Sequence, residues 1–353
     1  MAAKPAIDLS ISNPTQAGIS LPDPFSIASV ENHRYTPQAS GALPARTAIA
    51  QYYAEEFQSQ LSPDRILLTA SSSEAYSYCF KLIANPGDTI LIPQPSYPLL
   101  QFLIEAEGLV AKPYPLHEVL GEWILDREAL LHHLTPDTAA IVLVHPNNPT
   151  GHFLTEADLA WLREISQNRC WLISDEVFAD YRFDGHKANS LATLNAHNAF
   201  TLSGLSKICA LPQMKLGWIV LPEDPQIRRH MELIADTYLS VSSPIQSAAA
   251  SWLAARKSFQ QPISDRIQQN LSTLGQSLAN TPWQLMPIQA GWAVILRGPT
   301  HLEEEALVLS LLERGFSVHP GFYYDLPFEP CLVLSLLTPP ENLAQGVAAI
   351  LAS

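Results

Sequence analysis

Four short apolar runs constrain this chain more than any other feature of its sequence. Ala139–Val144 is apolar throughout, and Trp171–Ser174, Ala199–Leu202 and Leu216–Leu221 are nearly so. A strand with one face in water alternates apolar and polar residues; these do not, so both of their faces must be covered. Ile66–Thr69, Thr89–Ile92 and a short Lys112–Pro115 extend the series. The stretches between them read as helices: Ser73–Ala84, Pro98–Glu107, Asp126–Leu134, and Thr155–Asn168, which Thr155 caps with Glu156 and Asp158 in the first turn. Strands buried on both sides and alternating with helices specify an α/β fold, with a mostly parallel sheet sandwiched between helices.

The rest of the chain is organised around that sheet. Residues 1–45 are irregular and proline-punctuated, and read as an arm. A helix over Pro44–Gln60 carries Ile49, Tyr52, Tyr53 and Phe57 at helical spacing. Helices are expected over 223–239 and over 244–280, with a break near Gln261-Pro262. The last hundred residues change character. Strands near 283–286, 292–297 and 331–336 mix with helices near 302–314 and 340–352, an α+β pattern. The expected division is an arm (1–45) packing with the small domain, a large domain (46–255) and a smaller C-terminal domain (256–353). With 353 residues, 47% of them hydrophobic, the chain can bury two cores of this kind.

Several function classes are set aside by composition. The net charge of −14 and the lack of a basic stripe argue against nucleic-acid binding. No apolar run reaches membrane-spanning length, and the first residues lack the apolar segment of a signal peptide, so a cytoplasmic protein is expected. Cys79, Cys170, Cys209 and Cys331 are scattered among apolar residues. That spacing suits neither a zinc site nor a disulfide framework, and no metal site is expected.

Ligands of open α/β sheets bind beyond the carboxyl ends of the strands, so the residues after each strand are the candidates. Ile66–Thr69 leads into Ala70-Ser71-Ser72-Ser73-Glu74, where three serines open a helix; this is an anion site or a plain N-cap. Thr89–Ile92 leads to Ser96-Tyr97, an aromatic ring that either stacks on a flat ligand or packs on the surface. Ala139–Val144 leads to His145-Pro146-Asn147-Asn148-Pro149-Thr150-Gly151, which a turn alone would explain. Trp171–Ser174 leads to Asp175-Glu176, carboxylates at a buried strand end that need partners. Ala199–Leu202 leads to Ser203-Gly204-Leu205-Ser206-Lys207, and Lys215 follows eight residues later. Lys207 either snorkels along apolar neighbours or forms a Schiff base with a carbonyl group.

Asn-Asn-Pro-Thr-Gly, then Ser-Asp-Glu-Val, then Ser-x-x-Ser-Lys with a basic residue eight positions on, in that order and spacing, resemble the class I/II aminotransferases, pyridoxal 5'-phosphate (PLP) enzymes of fold type I. The likeness runs from Tyr35 through Gly321. It implies amino-group transfer between an amino acid and a 2-oxo acid in a homodimer with shared active sites. Lys207 would hold PLP as a Schiff base and shuttle a proton. Asp175 would pair with the pyridinium nitrogen and Asn148 with the phenolic oxygen, and Tyr97 would stack on the ring. Ser72, Ser73, Ser206 and Lys215 would bind the phosphate, and Tyr35 would reach the phosphate of the neighbouring subunit. Three positions depart from the family pattern. Lys215 stands for an arginine, Phe178 for a tyrosine, and Val333 for the arginine that clamps the substrate carboxylate. Asn148, backbone N–H groups near Ser12-Asn13, Arg34 and Arg297 are the candidates for that last task. The same lysine chemistry would also serve a β-elimination lyase, and a PLP-binding sensor is the non-enzymatic alternative.

Overall fold

The computed structural model describes residues 7–28, 36–183, 189–194 and 196–353. In chain order the elements are β1 (Ile7–Asp8), α1 (Pro24–Ile27), α2 (Leu43–Phe57), β2 (Ile66–Thr69), α3 (Ser72–Ile83), β3 (Thr89–Gln94), α4 (Leu99–Ala106), β4 (Val110–Val119), β5 (Glu122–Leu125), α5 (Arg127–His133), β6 (Thr138–Val144), α6 (Glu156–Ser166), β7 (Trp171–Asp175), β8 (Ala199–Gly204), α7 (Leu205–Ile208) and β9 (Gly217–Val220). There follow α8 (Pro225–Asp236), α9 (Ser243–Ala254), α10 (Arg256–Leu278), β10 (Gln284–Leu285), β11 (Ala293–Arg297), α11 (Glu304–Glu313), β12 (Phe316–Ser317), β13 (His319–Pro320), β14 (Cys331–Ser335) and α12 (Pro340–Leu351).

Eight strands form one sheet in the order β2-β9-β8-β7-β6-β3-β4-β5. The inner pairs β8–β7, β7–β6, β6–β3 and β3–β4 are parallel; β9 runs antiparallel to both of its neighbours, and β5 folds back on β4. The apolar runs behave as their composition requires. Ile173, Phe200 and Leu202 pack on one face with Tyr76 and Phe80 of α3, while Leu143 and Leu172 pack on the other with Leu159 and Leu162 of α6. Thr155 caps α6 in a reciprocal capping box with Asp158.

Two local expectations change. The short strand at Lys112–Pro115 is a ten-residue strand, Val110–Val119, that turns through Leu120 and Gly121 into β5. The helix break falls at Ala255, and Pro262 lies within α10. Arg256 opens α10 with its guanidinium buried against Glu55 (2.7 Å) and Glu56 (2.8 Å), and that pairing fixes where the new helix starts.

A second, four-stranded antiparallel sheet, β10-β11-β14-β13, lies toward the C-terminus. Val294, Leu296, Leu332 and Leu334 face a core with Ile267, Leu274, Leu343 and Val347 of α10 and α12. Ile295 and Val333 face the other way, into the cluster shared with the large sheet. Residues near the N-terminus join this region: β1 pairs in parallel with β12, and Ser335 N–H donates to Leu9 O (2.7 Å).

Candidate active site

The carboxyl ends of β6, β7 and β8 converge. Asp175 ends β7, directly across from Leu202 of β8, and its carbonyl accepts from His145 N–H, the residue after β6 (2.8 Å). Its carboxylate is buried and accepts from Val177 N–H at 3.2 Å. Burial raises its pKa to about 6, against the pull of Val177 N–H, the Tyr76 hydroxyl and Lys207.

Lys207 lies in α7, a single turn straight after β8. Gly204 makes that turn possible by close approach, since a Cβ there would sit 3.0 Å from Gly217 Cα and from Leu216 O. The Lys207 carbonyl accepts from the Tyr181 hydroxyl (2.8 Å). Its Nζ lies 4.8 Å from the centre of the Trp292 ring and 5.3 Å from that of Phe178. Burial lowers the ammonium to about 8, opposed only by Asp175, the one charge that bears on it among the described residues. A lysine near 8 keeps a useful fraction of free amine at neutral pH.

The Asn-Asn-Pro-Thr-Gly turn is held from within. Asn147 Oδ1 accepts from the Thr150 hydroxyl (2.9 Å) and N–H (3.3 Å), and its Nδ2 donates to Pro95 O (3.2 Å) in the Tyr97 loop. His145 Nδ1 accepts from Leu154 N–H, and burial keeps this imidazole neutral by lowering its pKa to about 3. Asn148 is half-buried beside them. Gly151 has φ +67°, and a Cβ there would press on Ala290 O and lie 2.6 Å from Ile288 Cγ1. Gly151→Ala is therefore expected to cost about 1–3 kcal/mol of stability, read by denaturant unfolding, and to displace the segment that carries Trp292.

At the mouth of β2, Ser71 caps α3 by accepting from Glu74 N–H, which leaves the N–H groups of Ser72 and Ser73 at the open end of a twelve-residue helix. Neither serine hydroxyl has a partner among the described residues. Tyr97 is half-buried between the two large clusters, close enough to Asp175 for that charge to help raise its pKa. Ser206 is half-buried beside Lys207, while Lys215 is exposed with a left-handed φ of +51°. Tyr35 and Arg34 lie outside the described residues. Val333 is buried, flanked across the sheet by Ile295 and His319, and Arg297 stacks on Phe328 (4.9 Å). Sequence reasoning did not find Tyr76, Tyr181 or Trp292. The signal available for Trp292 was an aromatic residue straight after a glycine at the start of a strand.

A mostly parallel sheet with a lysine turn after β8, a buried aspartate at the end of β7 and an open helix end after β2 is the arrangement of the fold type I architecture. The profile of "Aminotransferase class I and II" matches residues 6–350, nearly the whole chain. The chain belongs to the class I and II aminotransferase family. It is 28% identical to tyrosine aminotransferase of Mus musculus over 310 residues, which cover 83% of this chain and 67% of that protein. It is 31% identical to S-alkyl-thiohydroximate lyase of Arabidopsis thaliana over 202 residues, 57% of this chain and 43% of that one. The aligned stretch is 58% of the length of the human tyrosine aminotransferase. Among solved structures, alanine aminotransferase from Pyrococcus furiosus superposes with a TM-score of 0.87 over 98% of this chain and 91% of that one, at 24% identity.

Proposed function

We propose that this chain is a PLP-dependent aminotransferase that moves an amino group between an amino acid and a 2-oxo acid. The observation that carries the reading is the pairing of a half-buried Lys207, lowered to about 8, with a buried Asp175, raised to about 6, on adjacent strand ends. Among the described residues neither group has an oppositely charged partner other than its counterpart, so each is costly as it stands, and a ligand with a carbonyl and a cationic ring nitrogen would relieve both. PLP has that pattern, with a phosphate that suits the open end of α3.

PLP supplies an electron sink for the electrons released at the substrate's α-carbon. The chain supplies everything else. Lys207 Nζ would hold the cofactor through its carbonyl carbon and would move a proton at the substrate's α-carbon. Asp175 would pair with the ring nitrogen and favour its protonated form. Asn148 would donate to the phenolic oxygen, and Tyr97 would lie against the ring. The N–H groups and hydroxyls of Ser72 and Ser73, with Ser206 and Lys215, would hold the phosphate. Tyr35 belongs to the same proposal through a partner subunit, in a homodimer. Reduction with borohydride followed by peptide mapping should place the phosphopyridoxyl label on Lys207; a label on Lys215 would sink the assignment. The relation to a lyase leaves β-elimination as the second reading. Production of 2-oxo acid that requires an amino acceptor supports transfer, and production without one supports elimination.

Phe178 gives a separate expectation. A tyrosine there would donate to the ionised ring oxygen, the form that prevails at high pH. Hydrogen bonds to charged groups are worth ~1.5–3 kcal/mol, or about 1–2 pKa units. Phe178→Tyr should therefore lower the pH midpoint of the holoenzyme's visible absorption change by about that much. An equal or higher midpoint in a spectral titration would mean that the oxygen already has a donor, such as water.

A further inference from the structure

A substrate carboxylate brought next to Lys207 needs hydrogen-bond donors, because an unpaired buried charge is prohibitively costly. In the class I/II pattern a guanidinium comes from the position of Val333, which is a buried valine here. Several polar groups of this region are already engaged. The Ser335 hydroxyl donates to Ile11 O and accepts from Leu337 N–H. Arg182 donates to Ala179 O and pairs with Glu56, and Arg266 donates to Ala17 O and Leu337 O. Arg297 lies over Phe328. Among the described residues the buried donors without a partner include His145 Nε2–H, the Ser203 hydroxyl and the Trp292 Nε1–H, and of these Trp292, 4% exposed, is the one whose ring lies 4.8 Å from Lys207 Nζ. An indole N–H buried without an acceptor is a standing cost that a bound oxygen would remove.

We propose that Trp292 is the specificity-determining residue of this site, its indole N–H donating to the α-carboxylate of a monocarboxylic amino acid in place of a guanidinium. Phe178 and Tyr181 fix the ring edge-to-face at 5.3 and 5.0 Å, so the donor is held in place before substrate arrives. The wall seen from Lys207 Nζ is aromatic, with the Trp292 and Phe178 rings at 4.8 and 5.3 Å, which suits a substrate with a single carboxylate. This inference rests on the amino-transfer reading and adds the substrate class to it.

The test uses the PLP-loaded protein and two probes of one shape, 3-phenylpropanoate and 3-phenylpropan-1-ol, measured by calorimetry. Trp292→Phe keeps an aromatic ring but loses the N–H. It should weaken the carboxylate by about 10- to 100-fold and the alcohol by less than about twofold. Equal weakening of both probes would assign Trp292 a packing role and overturn the proposal, as would unchanged carboxylate binding. Should the variant fold poorly, the native protein with 15N-labelled tryptophan gives the same answer. One of its seven indole signals should move downfield with the carboxylate and stay in place with the alcohol. No such signal would overturn the proposal. Borohydride labelling of the same sample separates the two levels. A label on Lys207 with no carboxylate selectivity removes only this inference, whereas no label on Lys207 removes the amino-transfer reading with it.

Discussion

Lys207→Ala is expected to lose turnover by at least about 100- to 10,000-fold, the range over which positioned proton transfer contributes, with the covalent step lost as well. The same variant should still take up PLP, because the phosphate site proposed at the start of α3, the Asp175 carboxylate and the Tyr97 ring do not depend on Nζ. Lys207 makes no side-chain hydrogen bond to another described residue, and its backbone carbonyl would still accept from the Tyr181 hydroxyl. Structure should therefore survive, and thermal unfolding of the cofactor-free variant should resemble that of the parent. Turnover within tenfold of the parent would remove Lys207 from the chemistry.

Asp175→Asn should act in opposite directions on function and on stability. In the loaded protein the substitution removes the counter-charge of the ring nitrogen. A pair at 4 Å in an effective dielectric near 20 is worth up to ~4 kcal/mol, so turnover should fall by up to about a thousandfold. In the cofactor-free protein the sign reverses. Burial raises the Asp175 carboxyl from its ordinary 3.8 to about 6. The folded state then holds this proton more tightly than the unfolded state does. Stability is lost as pH rises from about 4 through about 6, and the loss is complete above that window. Two pKa units correspond to about 3 kcal/mol, so Asp175→Asn should be more stable than the parent by up to about that amount at pH 7, with little difference at pH 4. Denaturant unfolding at both pH values checks this. Equal stability at pH 7 would show that the buried carboxylate is paired more fully than Val177 N–H, the Tyr76 hydroxyl and Lys207 allow. Neighbouring Glu176, which burial and the Asp175 charge raise to about 7, loses the second of these in Asp175→Asn, a change of the same sign at pH 7.

The sheet was legible because its strands carry their own instructions. Ile66–Thr69 is apolar enough to name both its bounds and its burial, and the found strand has the same ends. The residues after each strand were legible for the same reason, since they inherit their place from it. The hairpin into β5 was not. Its turn is Leu120-Gly121, with φ +54° and +86°, and a leucine 99% exposed in a left-handed conformation gives none of the usual Asn-Gly or Asp-Gly signal. Pro262 misled for a related reason: a proline reads locally as a break, while the buried Arg256 that sets the start of α10 acts through Glu55 and Glu56, two hundred residues away. Trp292 lay outside sequence reasoning because its role comes from three-dimensional neighbours, Phe178, Tyr181 and Lys207, and no spacing rule connects them.

The joining of β1 to β12, and of Leu9 to Ser335, has a bearing on how the polypeptide is made. The C-terminal sheet region is completed by a segment that leaves the ribosome early, yet its partners emerge more than three hundred residues later. Synthesis at ~5–20 residues per second gives the eight-stranded sheet, which ends at Val220, time to form while residues 7–9 still wait. Contacts of such long range come late, because the chain between them must close as a loop. The nascent protein is therefore expected to present its lysine-bearing sheet to the cell before the C-terminal sheet exists, and deletion of residues 7–9 should leave the first sheet folded while unseating β12 and the turn after Ser335.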